Sequence, residues 1–202
     1  MTPRPRKVSD DDIFAAAYRA MSRVGPSELT LAEIAEEAGV TAGALVQRFG
    51  SRRNLLLALS EGAAHGAADM IRQLRGGQPS ALATLREYAR CMAQLAASPE
   101  AMARNLAYLT IDLGDPDFRR HLVANARATR KELVALVREA IAEGALLEDT
   151  DPRRLARTLE VVTGGSLFAW ATYQQGSGAK WILEDVDAVL APYRPKKKRA
   201  AR

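Results

Sequence analysis

"LTLAEIAEEAGVTAGALVQRFGSRRNLLLAL", residues 29–59, decides how the rest of the chain is read. Thr30 is followed three residues later by Glu33, the spacing of a capping box. Leu31, Ile34, Ala35 and Ala38 then recur at helical spacing, and Gly39 closes the run. After one residue, Thr41 opens a second short helix, which Gly50-Ser51 ends. Helices this short are marginal by themselves. Leu45 and Phe49, four apart, are expected to face inward onto Ile34 and Ala35. The opposite face is slim: Ala42, Gly43, Ala44, Val46 and Gln47, with Arg48 at its margin.

Two short helices joined by a tight turn at Gly39 suggest a helix-turn-helix. A helix that enters a major groove needs a narrow face and a few donors. Gly43 has no Cβ, so its backbone can approach closely. Ala42, Ala44 and Val46 can touch thymine methyl groups, and Gln47 can pair with adenine. Thr30 and Thr41 stand at helix N-termini, where hydroxyls and free N–H groups can hold phosphates. Arg48 and Arg52 flank the helix and can add phosphate contacts. Small capped helices also occur in ordinary bundles, so spacing alone leaves both readings open.

Outward from this stretch the pattern stays helical. Ser9 and Asp10, Asp11 and Asp12 suit a helix start, and a helix is predicted over 9–24. A fourth helix is predicted over about 52–75, and others at about 80–97, 100–112, 117–143, 152–175 and 182–191. Ser98-Pro99, Gly114-Asp115-Pro116, the 144–152 segment and the Gly-Ser-Gly at 176–178 separate them. No sustained alternation and no hairpin signal appears, and alanine is abundant. The expected fold is all-α, with about nine helices. A DNA-binding unit with its N-terminal arm takes residues 1–50, and a connecting helix takes 51–75. A larger body takes 76–193, and a disordered basic tail takes 194–202.

The formal charge of +5 is unevenly placed. Arg4, Arg6 and Lys7 at one end and Arg194, Lys196, Lys197, Lys198, Arg199 and Arg202 at the other carry +9, which leaves −4 on residues 8–193. Such basic ends suit polyanions, or serve as solvated ends. The one cysteine, Cys91, cannot form an internal disulfide, so a reducing compartment fits. The start of the chain lacks the apolar core of a secretory signal. The uncharged run 161–179 is interrupted by Thr, Ser, Gln and Gly and reads as a buried helix, not a membrane span. A cytoplasmic protein is expected.

The whole 29–59 stretch resembles the signature of the TetR/AcrR-type transcriptional regulators. Thr30, Ile34-Ala35, Ala38-Gly39-Val40-Thr41, Gly43, Leu45, Phe49, Ser51 and Leu55 carry the likeness, and Ala16 and Gly25 extend it upstream. The resemblance spans about residues 10–60. It implies a three-helix DNA-binding unit, a connecting helix, an effector-binding body and a homodimer on a palindromic double-stranded operator. Val46 stands where the family usually has a phosphate-contacting tyrosine, and Arg48 where His or Tyr is common. Arg52 keeps the charge of a common lysine, and Arg53 replaces a common glutamate. Arg48 and Arg53 are expected to supply the backbone contact that the tyrosine would give.

Beyond the motif the likeness rests on layout. The 144–159 segment resembles the family's link between its last two long helices, which usually form the dimer's four-helix bundle. The predicted helix 152–175 is apolar nearly all round, as expected of one buried on two sides. Leu133, Val137, Leu159, Val162, Gly165, Ser166, Ala169 and Tyr173 are the expected dimer contacts. Val161, Leu167, Phe168 and Trp170 form a second apolar set on the same helix. Met70, Leu74, Tyr88, Met92, Met102, Leu106 and Tyr108 are adaptable or large side chains that would line a pocket for an apolar or aromatic effector. Taken singly, each fits a plain core better than a pocket lining.

No Gly-rich phosphate loop, nucleophile elbow or two-histidine metal helix is present, so no catalysis, cofactor or metal is expected. His65 and His121 lie far apart with no zinc-ligand spacing. The expectation is a ligand-responsive dimeric regulator, a repressor released by a small apolar effector. The rival is a helical protein–protein module without specific DNA binding. Val46 and the near-balance of ten basic and nine acidic residues in 1–75 favour that rival.

Overall fold

The computed structural model describes residues 8–26, 28–94 and 96–196. Arg4, Arg6 and Lys7 of the arm, and 197–202 of the basic tail, lie outside the described residues. Every regular element among the described residues is helical. The chain forms two compact units, one of residues 1–63 with 103–122, the other of 64–102 with 123–202.

The first unit opens with α1 (Asp10–Arg23). Ser9 accepts from the Asp12 backbone N–H, and the Asp12 carboxylate accepts from the Ser9 backbone, a complete capping box. Three aspartates in the first turn complement the helix dipole. α2 (Leu31–Ala38) starts at Thr30, whose hydroxyl accepts from Glu33 N–H at 3.1 Å. Only half of the expected box forms there. The Glu33 side chain turns instead to Arg23, 3.1 Å away.

Gly39 ends α2 in the left-handed region, φ 66°. Val40 N–H then donates to Ala35 C=O at 2.9 Å, which closes the turn. α3 (Ala42–Phe49) follows, with Thr41 Oγ1 accepting from Ala44 N–H at 3.1 Å. Ser51 caps α4 (Arg52–Gly62) in the same way. Three successive helices thus begin on a hydroxyl cap, each satisfying an N–H that lacks an intrahelical partner.

Their inner faces share one core: Ile13, Ala17, Ala20, Leu29, Ile34, Ala35, Leu45, Leu55, Leu56 and Leu59. Phe118 completes it from residues 103–122. From the same segment, Tyr108 packs on this core and its hydroxyl donates to Val24 C=O at 3.3 Å.

The expected fourth helix over 52–75 is broken in two. α4 gives way to a 3-10 turn at Ala63–His65, and α5 (Gly66–Arg75) resumes. Gly62 and Gly66 bracket the break, where glycine's backbone entropy weakens a continuous helix.

The second unit holds α5, α6 (Ala81–Gln94), α9 (Pro152–Tyr173) and α10 (Gly178–Leu190), with parts of α7 (Pro99–Gly114) and α8 (Pro116–Ala142). α10 packs on both α6 and α9, and α5 on α6. Asp151 caps α9 by accepting from the Arg153 and Arg154 N–H groups, with Pro152 in the first turn. Leu133, Leu136, Val137, Leu155, Leu159, Ile182, Val186 and Leu190 dominate the core. Gly178 allows the closest approach in the α9–α10 hairpin: a Cβ there would lie 3.3 Å from the Trp170 ring.

The Gly39 turn sets the angle between α2 and α3, and an added Cβ there would meet nothing within 4 Å. Its requirement is therefore purely one of backbone strain. Gly39→Val is expected to destabilise the protein by ~1–2 kcal/mol, the usual cost of a left-handed non-glycine, and Gly39→Asn by clearly less. Urea unfolding followed by circular dichroism measures both.

Candidate nucleic-acid interface and effector site

α3 makes its surface by burying almost nothing. Leu45, at 1% exposure, is its one fully buried residue. Phe49 is half-buried and its ring stands 6.1 Å from that of Phe14. Gly43, Ala44, Val46 and Gln47 are exposed, as are Thr30 and Thr41 at the caps. Val46 is 47% exposed. Ala42 departs from expectation. It is half-buried against the core, because the first turn of α3 leans onto α2.

The arginines depart further. Arg48 Nε lies 2.6 Å from Asp10 Oδ1, and its Nη1 donates to Val8 C=O at 2.7 Å. Its guanidinium also sits 5.9 Å from the Phe49 ring centre. Arg52 donates to Pro26 C=O, and its Nε is buried with no partner among the described residues. Arg53 reaches Asp115 at 2.7 Å and Asp117 at 2.9 Å and lies over the Phe118 ring. All three, expected to face phosphate, are held by the unit itself. The cause is proximity in the fold: the start of α1 and the α7–α8 junction bring carboxylates to Arg48 and Arg53, and the chain after α1 brings the Pro26 carbonyl to Arg52.

The electrostatics follow these pairs. The Asp115 carboxyl is held below its ordinary 3.8, first by the hydrogen bond from Arg53 and then by the Asp117 N–H. The Arg53 guanidinium is raised by Asp117 and Asp115. Glu37 is likewise lowered by hydrogen bonds from Arg19 and Arg23.

The residues expected to line one pocket fall in two places. Met70, Leu74, Met92 and Met102 pack at the margin of the second unit's core, and Tyr88 lies within it. Leu106 and Tyr108 belong to the first unit, where Tyr108 is tied to Val24. Periodicity marks an inward face without saying which core receives it. Tyr88 lines a small, mainly apolar void of ≈10 Å³ with Leu85, Leu133, Leu159, Thr163 and Val186. That is room for about one water. Burial, and next the Glu160 charge, push the Tyr88 hydroxyl up to about 12. Leu85, Thr163 and Val186 are lining residues that no sequence signal separated from ordinary core.

The expected dimer contacts are also redistributed. Leu133, Val137, Leu159 and Ser166 are buried within the second unit, so they offer no surface. Ser166 donates to Val162 C=O and bonds Asp185 at 2.6 Å. Val162 and Ala169 are half-buried. The exposed side of α9 carries Gly165, one of the expected contacts, together with Val161, Gly164, Phe168 and Thr172, with Val161 at 65% and Phe168 at 56% exposure. Tyr173 is exposed and stacks on Trp181 at 5.8 Å.

Cys91 is half-buried and its thiol is raised by burial, which disfavours the reactive thiolate. Among the described residues no His, Cys, Asp and Glu side chains gather as a metal site would require. No described helix is long and apolar enough to cross a membrane.

This architecture has close counterparts. Residues 13–59 match the family model for bacterial regulatory proteins of the tetR family. A TetR transcription regulator from Haloarcula marismortui is 19% identical, with 92% of this chain and 98% of that one covered at a TM-score of 0.76. A TetR transcriptional regulator from Streptomyces coelicolor is 25% identical, covering 93% and 99% at 0.66. FadR of Thermus thermophilus, a TetR-family repressor solved with lauroyl-CoA, is 22% identical, covering 96% and 100% at 0.59. No curated protein sequence matches the chain. The helix-turn-helix with its caps and the nearly full-length fold agree: residues 13–59 carry the tetR-family model, and the chain has the fold of the TetR-type regulators.

The Asp115–Arg53 pair carries a pH signature. A carboxyl lowered by folding contributes stability above its unfolded value, and that stability is lost as pH falls through the folded value. Thermal stability should therefore drop as pH falls below about 4. In Asp115→Asn the drop should be shallower, with Glu37 supplying what remains. Melting temperatures between pH 7 and pH 3 test this.

Proposed function

We propose that the protein is a homodimeric transcriptional repressor that binds a palindromic operator and is released by a small, mainly apolar effector. The exposed, slim face of α3, anchored behind by Leu45, is the observation that carries this reading. Gly43, Ala44, Val46 and Gln47 face the bases, while Thr30, Thr41 and the N–H groups they leave free meet phosphates. Arg48, Arg52 and Arg53 then act as positioning residues: they hold α3 and α4 in place. The protein works in the cytoplasm and carries out no catalysis.

The exposed apolar side of α9 supports the dimer. Val161 and Phe168 flank Gly164 and Gly165, so a second helix can approach its backbone closely. A twin chain sets the two readers ~34 Å apart, one helical turn of DNA. The void beside Tyr88 is where an effector could be accommodated by opening the α6–α8–α9–α10 core. One neighbour in fold was solved with lauroyl-CoA, which supports an apolar effector class.

The internal pairing of all three arginines also favours the rival, a protein–protein module without specific DNA binding. Selection of bound duplexes from a random pool, followed by titrations at two salt concentrations, separates the two. A repressor enriches a palindrome and binds it at least ~10³-fold above random sequence. An interaction module enriches nothing.

Two variants extend the test. Arg48→Ala should lower thermal stability by about 1 kcal/mol or less, as exposed ion pairs do, and leave the slope of log K against log salt unchanged. A slope flatter by about one unit would instead make Arg48 a phosphate contact. Phe168→Arg should give monomers in sedimentation velocity and lose operator binding, with helical content retained.

A further inference from the structure

α3 carries no free cation on its reading face, and that restricts which bases it can read. Guanine is most often recognised by Arg or Lys reaching O6 and N7 together. The single basic residue of α3 is Arg48. It is bound on two sides, by Asp10 at 2.6 Å and by Val8 C=O at 2.7 Å. The next two cations along the chain, Arg52 and Arg53, are held by Pro26 and by Asp115 with Asp117.

What remains exposed is chemically narrow. Gln47 has no side-chain partner among the described residues, and its amide offers one donor and one acceptor on the same edge, the complement of adenine N7 and N6. Val46 presents two methyl groups to solvent at 47% exposure, where a polar residue would cost nothing. Gly43 lies one turn before both on the same face, and a Cβ there would meet only Thr41 Oγ1, at 3.9 Å. The backbone can therefore seat deep enough for short side chains to reach base edges. Val46 and Gln47 are adjacent and point about a quarter-turn apart, so they address neighbouring base pairs.

We infer that α3 reads an A·T-centred step in each half-site, with Val46 on a thymine methyl group and Gln47 on an adenine, and leaves guanine unread. This rests on the repressor reading above and specifies the operator class. It also gives Val46 a role in specificity at a position where the family usually places a phosphate contact.

The test uses the full chain and the duplex enriched by selection. Deoxyuridine is placed at each thymine in turn, which deletes one methyl group, and 7-deazaguanine at each guanine, which deletes the N7 acceptor. Uracil should weaken binding about fourfold at one or more thymines per half-site, the transfer value of one methyl group. That loss should vanish in Val46→Ala, whose fold is unaffected because the side chain is exposed. Every 7-deazaguanine should change affinity by less than twofold. Gln47→Arg should switch preference at the adenine to guanine by about tenfold. A tenfold loss on any 7-deazaguanine within the half-site overturns the inference, and its disappearance in Arg48→Ala would identify Arg48 as the reader. Uracil without effect at every thymine also overturns it. A selection that enriches no duplex sinks the repressor reading and this inference together, whereas a guanine-dependent operator sinks only the inference.

Discussion

The structure of the first unit depends on one buried leucine. α3 has eight residues, too few to persist alone, and turns almost every side chain outward. Leu45 is what holds it, packed on the core that Ile34, Ala35 and the inner face of α1 provide. Replacing so buried an anchor would cost several times what an exposed contact contributes. The caps divide the remaining work. Thr41 and Gly50 fix where the helix begins and ends, and Leu45 fixes which way it faces. A helix secured mainly by Leu45, with Ala42 and Phe49 at its two ends, leaves the face of Gly43, Val46 and Gln47 exposed.

How much of this could be read from the sequence depended on how local the determinant was. The breaks at Gly39, Gly50, Gly114-Asp115-Pro116 and Asp151-Pro152 are written in residues within a turn of each break, and the helices follow them closely. Leu45 facing inward and Gln47 facing outward follow from spacing alone. The arginines were not legible. Arg48 meets Val8 across forty residues, and Arg53 meets Asp117 across sixty-four. A charged residue beside a reading helix looks the same in sequence whether it faces phosphate or a carboxylate brought in by the fold. Glu33 illustrates the same limit at shorter range, since its spacing fits a capping box while Arg23 takes its carboxylate.

The faces of α9 show a second limit. Leu155, Leu159, Ser166 and Trp170 line one side, and Val161 and Phe168 the other. A helix apolar on both sides announces that it will be covered twice, but periodicity does not say which stripe meets its own core. α10 settles the matter, because it occupies the side of Leu159 and Ser166, where Ser166 bonds Asp185. The residues expected to line a pocket belong to both units, and periodicity could not tell them apart for the same reason. Tyr88 and Tyr108 sit on helices of similar pattern, yet one enters the second unit's core and the other hydrogen-bonds to the end of α1.

Holding the arginines inside the unit changes where positive potential comes from. Each of α2, α3 and α4 begins with a hydroxyl that satisfies a single N–H, which leaves further N–H groups of the first turn unpaired. Aligned peptide dipoles place roughly half a positive charge at each such end. These donors are fixed by backbone geometry, unlike a long arginine side chain that must give up rotamer freedom to engage a phosphate. Fixed donors position a polyanion, whereas mobile cations mainly attract it by counterion release. On the proposed function, an interface built on helix ends and the uncharged face of α3 would gain its selectivity from shape and from base edges. Any long-range attraction then falls to charges outside the core of the unit, and Arg4, Arg6 and Lys7, just before α1, are the nearest such cluster in the sequence.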